Sequence, residues 1–117
     1  MNTQLLPAGE ESIRLAGRLL RQGQVVGFPT ETVYGLAASS FDGAAVRKIF
    51  QAKGRPQDNP LISHIAGWEM LDGLWAEVTP QARRLAQAFW PGPLSIILPR
   101  GGRIADEVCA GLPTASV

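Results

Sequence analysis

Apolar and polar positions change period several times along the chain. Over residues 8–22, Ile13, Ala16, Leu19 and Leu20 share one face of a 3.6-residue repeat while Arg14, Arg18 and Arg21 share another. This spacing predicts an amphipathic helix that stops at Gly23. The next run, QVVGF at 24–28, is short, holds two valines and is bounded by Gly23 and Pro29, which suits a buried strand. Residues 43–53 return to the helical period, with Ala45, Ile49 and Ala52 on one stripe, Asp42 placed as N-cap and Gly54 as terminator. LISHIA at 61–66 predicts a second strand, and LSIILP at 94–99 a third with the strongest β-branched signal. Between them TPQARRLAQAFW, 79–90, predicts a helix with Thr79 as N-cap and Pro80 at its first position. PTASV, 113–117, reads as the start of a fourth strand. Helical and strand-like segments alternate, so the expected class is α/β or α+β: strands 24–28, 61–66 and 94–99 in one sheet, with helices 8–22 and 43–53 packed against it.

Composition bounds what this fold can be. With 117 residues, 45% of them apolar, the chain can build one hydrophobic core and not two. Eleven Lys and Arg against ten Asp and Glu give a formal charge of +1, far from the basic balance of a dedicated nucleic-acid binder. The single cysteine, Cys109, can form neither an internal disulfide nor a thiolate cluster; it fits a reducing compartment and a small buried apolar side chain. No signal-peptide pattern and no run of about 18 apolar residues occurs, so a cytoplasmic location is expected. The chain stops at Val117 just as an apolar stretch begins, and a domain incomplete at its C-terminus is expected from this.

Charge becomes informative locally. From Gly43 to Gln57 there are four cations, Arg47, Lys48, Lys53 and Arg55, and no acid. Lys53 and Arg55 fall where the second helix ends, at a Gly54–Pro56 turn that can aim both the same way. A compact ammonium and a planar guanidinium together suit phosphate or carboxylate oxygens. The same cations could simply complement the negative end of the helix dipole. His64, in an apolar strand context, is either an edge residue or a catalytic group, and with one histidine and no nearby cysteine a transition-metal site lacks ligands. Asn59 before Pro60 is explained by a turn. A second constellation, FPTETVYGLA at 28–37, sets Thr30, Glu31, Thr32 and Tyr34 just beyond a strand end, where α/β sheets bind ligands. Its alternative is a turn capped by Thr30 or Thr32, with Tyr34 packed below. Neither a P-loop nor a dinucleotide fingerprint is present.

FPTETVYGLA, then KIFQAKGRPQDNPLISHI, then FWPGPLSIIL resemble, in order and over nearly the whole chain, the YrdC/Sua5 family of threonylcarbamoyl-AMP synthases. The resemblance implies a twisted mixed sheet flanked by helices around a concave basic cavity. It also implies an enzyme joining L-threonine, bicarbonate and ATP into threonylcarbamoyl adenylate and pyrophosphate, for threonylcarbamoyladenosine formation on tRNA. By the same resemblance, Lys53 and Arg55 would be catalytic and contact phosphates, with Asn59 also on the nucleotide. Thr30, Tyr34, His64, Thr114 and Ser116 would serve the threonine pocket. Mg2+ would arrive on ATP, needing no protein cage.

The family pattern continues past a strand like PTASV to Arg-x-Pro and Ser-x-Asn elements that these residues do not contain. The chain is therefore expected to be inactive alone, and to expose a sheet edge that could oligomerise or meet tRNA-modification partner proteins. Two other readings stay open: a non-catalytic RNA-binding module using the Arg47–Arg55 cluster, with strong salt dependence, and a carbamoyl-transfer domain, which the short N-terminus disfavours.

Overall fold

The computed structural model describes residues 2–117. Helix α1 spans Glu10–Arg21. Glu10 and Glu11 in its first turn and Arg18 and Arg21 in its last complement the helix dipole, and Arg14 donates to the Glu10 carboxylate at 2.6 Å. Its apolar face is not the core face that the periodicity predicts: no residue of α1 is buried, and Ile13 is 71% exposed. The helix packs beside strand β1, Val26–Phe28.

β1 pairs antiparallel with β2, Gly35–Ala37, in a register that sets Val26 opposite Ala37 and Phe28 opposite Gly35. The hairpin encloses residues 29–34, so most of the FPTETVYGLA motif is its loop. Helix α2 occupies Gly43–Lys53, the predicted bounds. Asp42 caps it by accepting from the Ala45 N–H at 3.1 Å, and Gly54 ends it at φ 63°, where a side chain would be strained. The buried stripe is Ala45, Val46, Ile49 and Phe50; Ala52, expected on it, is exposed because the helix leaves the core in its last turn. Lys48 Nζ donates to the Gly23 carbonyl at 2.7 Å and ties the end of α1 to α2.

A 3₁₀ turn, Trp68–Leu71, precedes helix α3, Pro80–Phe89, whose N-cap is Thr79: its hydroxyl accepts from the Ala82 N–H at 3.2 Å. Strand β3, Ile97–Pro99, pairs antiparallel with β4, Thr114–Ser116, and Ile96 and Val117 extend the ladder by exchanging bonds of 2.9 and 3.0 Å. Between them lies the short helix α4, Asp106–Cys109.

The architecture is mixed α/β, as expected, but the single sheet is not found. β1–β2 and β3–β4 are separate two-stranded sheets. Segment 61–66 is also not a strand. It is extended, with Leu61, Ser63 and Ile65 turned inward and Ile62 and His64 outward, but it touches β4 only through a parallel bridge between Ile62 and Ser116 and the Ser63 N–H to Ser116 carbonyl bond. A period-two pattern records which face is buried; a ladder needs a neighbour along its whole length.

The core gathers Val46 and Phe50 of α2, Leu71, Leu74 and Trp75, Ala82 and Ala86 of α3, Ile96, Ile104, Val108 and Cys109, and Ala115 and Val117. Tight backbone packing joins the 73–75 segment to the end of β3: Gly101 N–H donates to Leu74 at 2.8 Å and Ala76 N–H to Pro99 at 3.0 Å. Among the described residues no helix is long and apolar enough to cross a membrane.

Candidate functional site

A cavity of about 640 Å³ falls between three stretches that the sequence singles out. Glu31 enters from the β1–β2 loop, residues 62–68 form one wall, and Trp90–Ser95 form another. Ala86 and Gln87 of α3 and Val117 complete it. A volume of this size lies within the roughly 300–1,000 Å³ of small-molecule sites.

Its wall is stiffened by the chain's three tryptophans. Trp90 stacks on Trp75 with ring centroids 6.3 Å apart and 21° between planes, and meets Trp68 at 5.9 Å and 46°. The Trp90 indole N–H donates to the Leu94 carbonyl at 2.8 Å, and that of Trp75 to the Ala115 carbonyl at 3.0 Å, so the polar tips of the half-buried Trp90 and the buried Trp75 are both satisfied. Arg83 lies over the Trp68 ring, its guanidinium carbon 5.2 Å from the centroid. Ser63, the buried polar residue of the core region at 3% exposure, shares a hydroxyl–hydroxyl bond of 2.8 Å with Ser40, which links the wall to the segment after β2. No buried side-chain polar atom among the described residues lacks a partner.

Of the residues proposed from sequence, His64 lines the cavity. Ser116 stands directly behind the wall, its carbonyl bonded to Ser63 N–H, and Thr114 pairs with Pro99 two residues earlier on β4. Lys53, Arg55 and Asn59 are exposed at and beyond the end of α2 and do not line the cavity. Neither cation is in an ion pair with a carboxylate among the described residues. Thr30 is engaged locally: its hydroxyl accepts from the Thr32 and Val33 N–H groups, both at 3.2 Å, and donates to the Val33 carbonyl. This is the capped turn, without the short helix after it. Tyr34 is not packed below that turn; it is 83% exposed.

Sequence reasoning singled out Glu31 with its neighbours beyond the strand end but missed Trp68, Trp90 and Ser63 as wall residues. The usable signal was the tryptophan before Pro91-Gly92-Pro93, which fixes an aromatic ring at the mouth of a rigid turn. Ser63 carries no such signal, since an inward serine is legible only once Ser40 is seen beside it. Cys109, 1% exposed, lies away from this cavity; burial pushes its thiol up, Arg100 pulls partly against this, and Asp106 adds to it.

A family model described as Sua5_yciO_yrdC, telomere recombination, matches residues 18–117. The chain is 50% identical over 108 residues to a threonylcarbamoyl-AMP synthase of Pyrococcus abyssi, covering 92% of this chain and 32% of that protein. It is 46% identical over 116 residues to one of Bacillus subtilis, covering 98% and 34%. It superposes on a crystal structure of P. abyssi Sua5 complexed with L-threonine with a TM-score of 0.87, at 48% identity, over 96% of this chain and 33% of that one. The chain thus spans about a third of the length of these relatives.

Proposed function

Because the chain belongs to the Sua5/YciO/YrdC family, we propose that it forms the threonine-binding part of a threonylcarbamoyl-AMP synthase. The observation that carries this reading is the meeting of three family-like motifs at one cavity: Glu31 from the first, His64 from the second and Trp90–Ser95 from the third.

In the proposed reaction the amine of L-threonine condenses with bicarbonate, losing water, and an oxygen of the resulting carbamate attacks the α-phosphorus of ATP. Pyrophosphate leaves, and threonylcarbamoyl adenylate remains for transfer to tRNA. Both reacting partners are anions, so the protein must neutralise and align them; positioning and fixed charge dominate such catalysis. Lys53, the last residue of α2, and Arg55, just beyond it, are exposed and without carboxylate partners among the described residues, and so are available to follow the phosphates. His64, which lines the cavity, would hydrogen-bond the amino acid. Magnesium, when bound, would screen the phosphate charge. Among the described residues no group of three or more His, Cys, Asp and Glu could hold a metal ion.

The test is calorimetric titration of the chain with L-threonine, with L-alanine as control. Saturable binding that prefers threonine and weakens about tenfold in His64→Ala is expected. Equal heats from both amino acids would reject the assignment. The activity readout is pyrophosphate release from ATP that requires both L-threonine and bicarbonate.

A further inference from the structure

The 61–66 segment carries two alternating sets of side chains, and hydrophobicity hardly distinguishes them. Leu61, Ser63 and Ile65 turn inward, while Ile62, His64 and Ala66 are exposed. Each set holds two apolar residues and one polar residue. A shift of one residue along the chain exchanges the sets and would carry His64 from the cavity to the core. The main-chain bonds that dock the segment, Leu61 N–H to the Val108 carbonyl and Ser63 N–H to the Ser116 carbonyl, both 2.9 Å, form equally with any side chain at those positions. They do not choose between the registers.

One side-chain contact does. The hydroxyl of the buried Ser63 meets that of Ser40 at 2.8 Å. Ser40 is itself anchored: its carbonyl accepts from the Ala105 N–H at 2.8 Å, at the head of α4, and it follows β2, the strand that closes the hairpin bearing Glu31. In a shifted register Ser40 would face Ile62, which leaves its hydroxyl unpaired, or the His64 imidazole, which is too large for a space that a serine fills. We propose that Ser40 and Ser63 are positioning residues, whose hydroxyl pair selects the register that puts His64 in the cavity. The two hydroxyls are spent on each other and act on a ligand only through His64. The pair also joins the Glu31 side of the cavity to the His64 side. Its consequence for L-threonine rests on the synthase reading; the choice of register does not.

The 117 residues contain one histidine, so the imidazole resonances in an NMR spectrum report the surroundings of His64 alone. Spectra at one fixed pH compare the wild type with Ser40→Ala, Ser63→Ala, the double alanine variant and Ser40→Thr. Each single alanine variant should shift or split the histidine signal, and Ser40→Thr, which keeps the hydroxyl, should match the wild type. The double variant leaves no orphaned hydroxyl, so its urea midpoint should return toward the wild type while its histidine signal stays displaced. Calorimetry adds a second arm. Ser63→Ala should bind L-threonine about fivefold more weakly, and should cost nothing further in a His64→Ala background, as for a residue that acts through His64. An unchanged histidine signal in Ser63→Ala, a double variant that regains the wild-type signal, or an equal loss in the His64→Ala background would each overturn the proposal. A wild-type chain that does not bind L-threonine would reject the synthase reading alone, because the resonance arm needs no ligand.

Discussion

Replacing Gly101 by alanine should disrupt the join between β3 and the tryptophan wall. A Cβ on Gly101 would lie 2.5 Å from the Gly73 carbonyl oxygen, 2.6 Å from its carbon and 2.8 Å from the Trp75 oxygen. Ordinary contact begins at 3.4 Å, so the two backbone segments would have to part by about 0.6–0.9 Å. No flexible side chain can move aside, because all three of these neighbours are main-chain atoms. Parting strains the Gly101–Leu74 bond of 2.8 Å and the pair that Gly73 accepts from Arg103 and Ile104, at 3.2 and 3.0 Å. Overpacking of this kind costs about 1–3 kcal/mol, and each weakened hydrogen bond adds about 0.5–1.5 kcal/mol, so a total near 3 kcal/mol is expected. At a urea m-value of about 1–3 kcal/mol/M, the unfolding midpoint should fall by about 1–3 M. Because the Trp75 main chain is displaced and Trp75 stacks on Trp90, the native tryptophan emission should change as well. Gly102 is the internal control: a methyl group there would meet nothing within 4 Å, so Gly102→Ala should unfold close to the wild type. Two alanine variants within about 0.5 kcal/mol of each other would refute the packing argument.

Thr30→Val removes the hydroxyl that accepts from Thr32 and Val33 while keeping the shape; it should loosen the β1–β2 loop and weaken L-threonine binding, whereas Thr30→Ser should restore both, as calorimetry would show. If the Thr30→Val chain binds L-threonine as well as the wild type does, the loop does not serve the ligand. Under the synthase reading, Arg55→Lys should lower pyrophosphate release at least about tenfold because an ammonium cannot supply a bidentate fork; a generic RNA patch would instead tolerate lysine and lose about one counterion in Arg55→Ala. Cys109 holds its proton more tightly folded than unfolded. Its contribution to stability is therefore fully present below the ordinary thiol range and lost as pH rises through the raised native value. Thermal unfolding across alkaline pH should show that decline in the wild type and not in Cys109→Ala; parallel curves would refute it.

The sequence alone was enough for helices α1, α2 and α3 and for the caps of the last two, since Asp42, Thr79, Pro80 and Gly54 act within one turn of themselves and need no distant partner. It also carried the family, because the three motifs are contiguous stretches whose residue order survives in one dimension. The period-two alternation of 61–66 was legible too. Which neighbour that segment meets was not, so a predicted strand became a lone bridge beside β4, and one sheet became two. The apolar stripe of α1 misled for the same reason: amphipathicity describes a face, and whether another surface covers it depends on the rest of the fold. At the candidate site, chemistry-bearing side chains were visible as residue types, but their company was decided in three dimensions. Glu31 and His64 come together across the cavity while Lys53 and Arg55 stay outside it, and Thr30 turns its hydroxyl onto its own loop. Ser40 and Ser63, 23 positions apart, and Trp75 and Ala115, 40 apart, meet only because the core closes between them. Caps and periodicity are short-range and written locally; burial and pairing depend on contacts between distant segments, which only the packed chain determines.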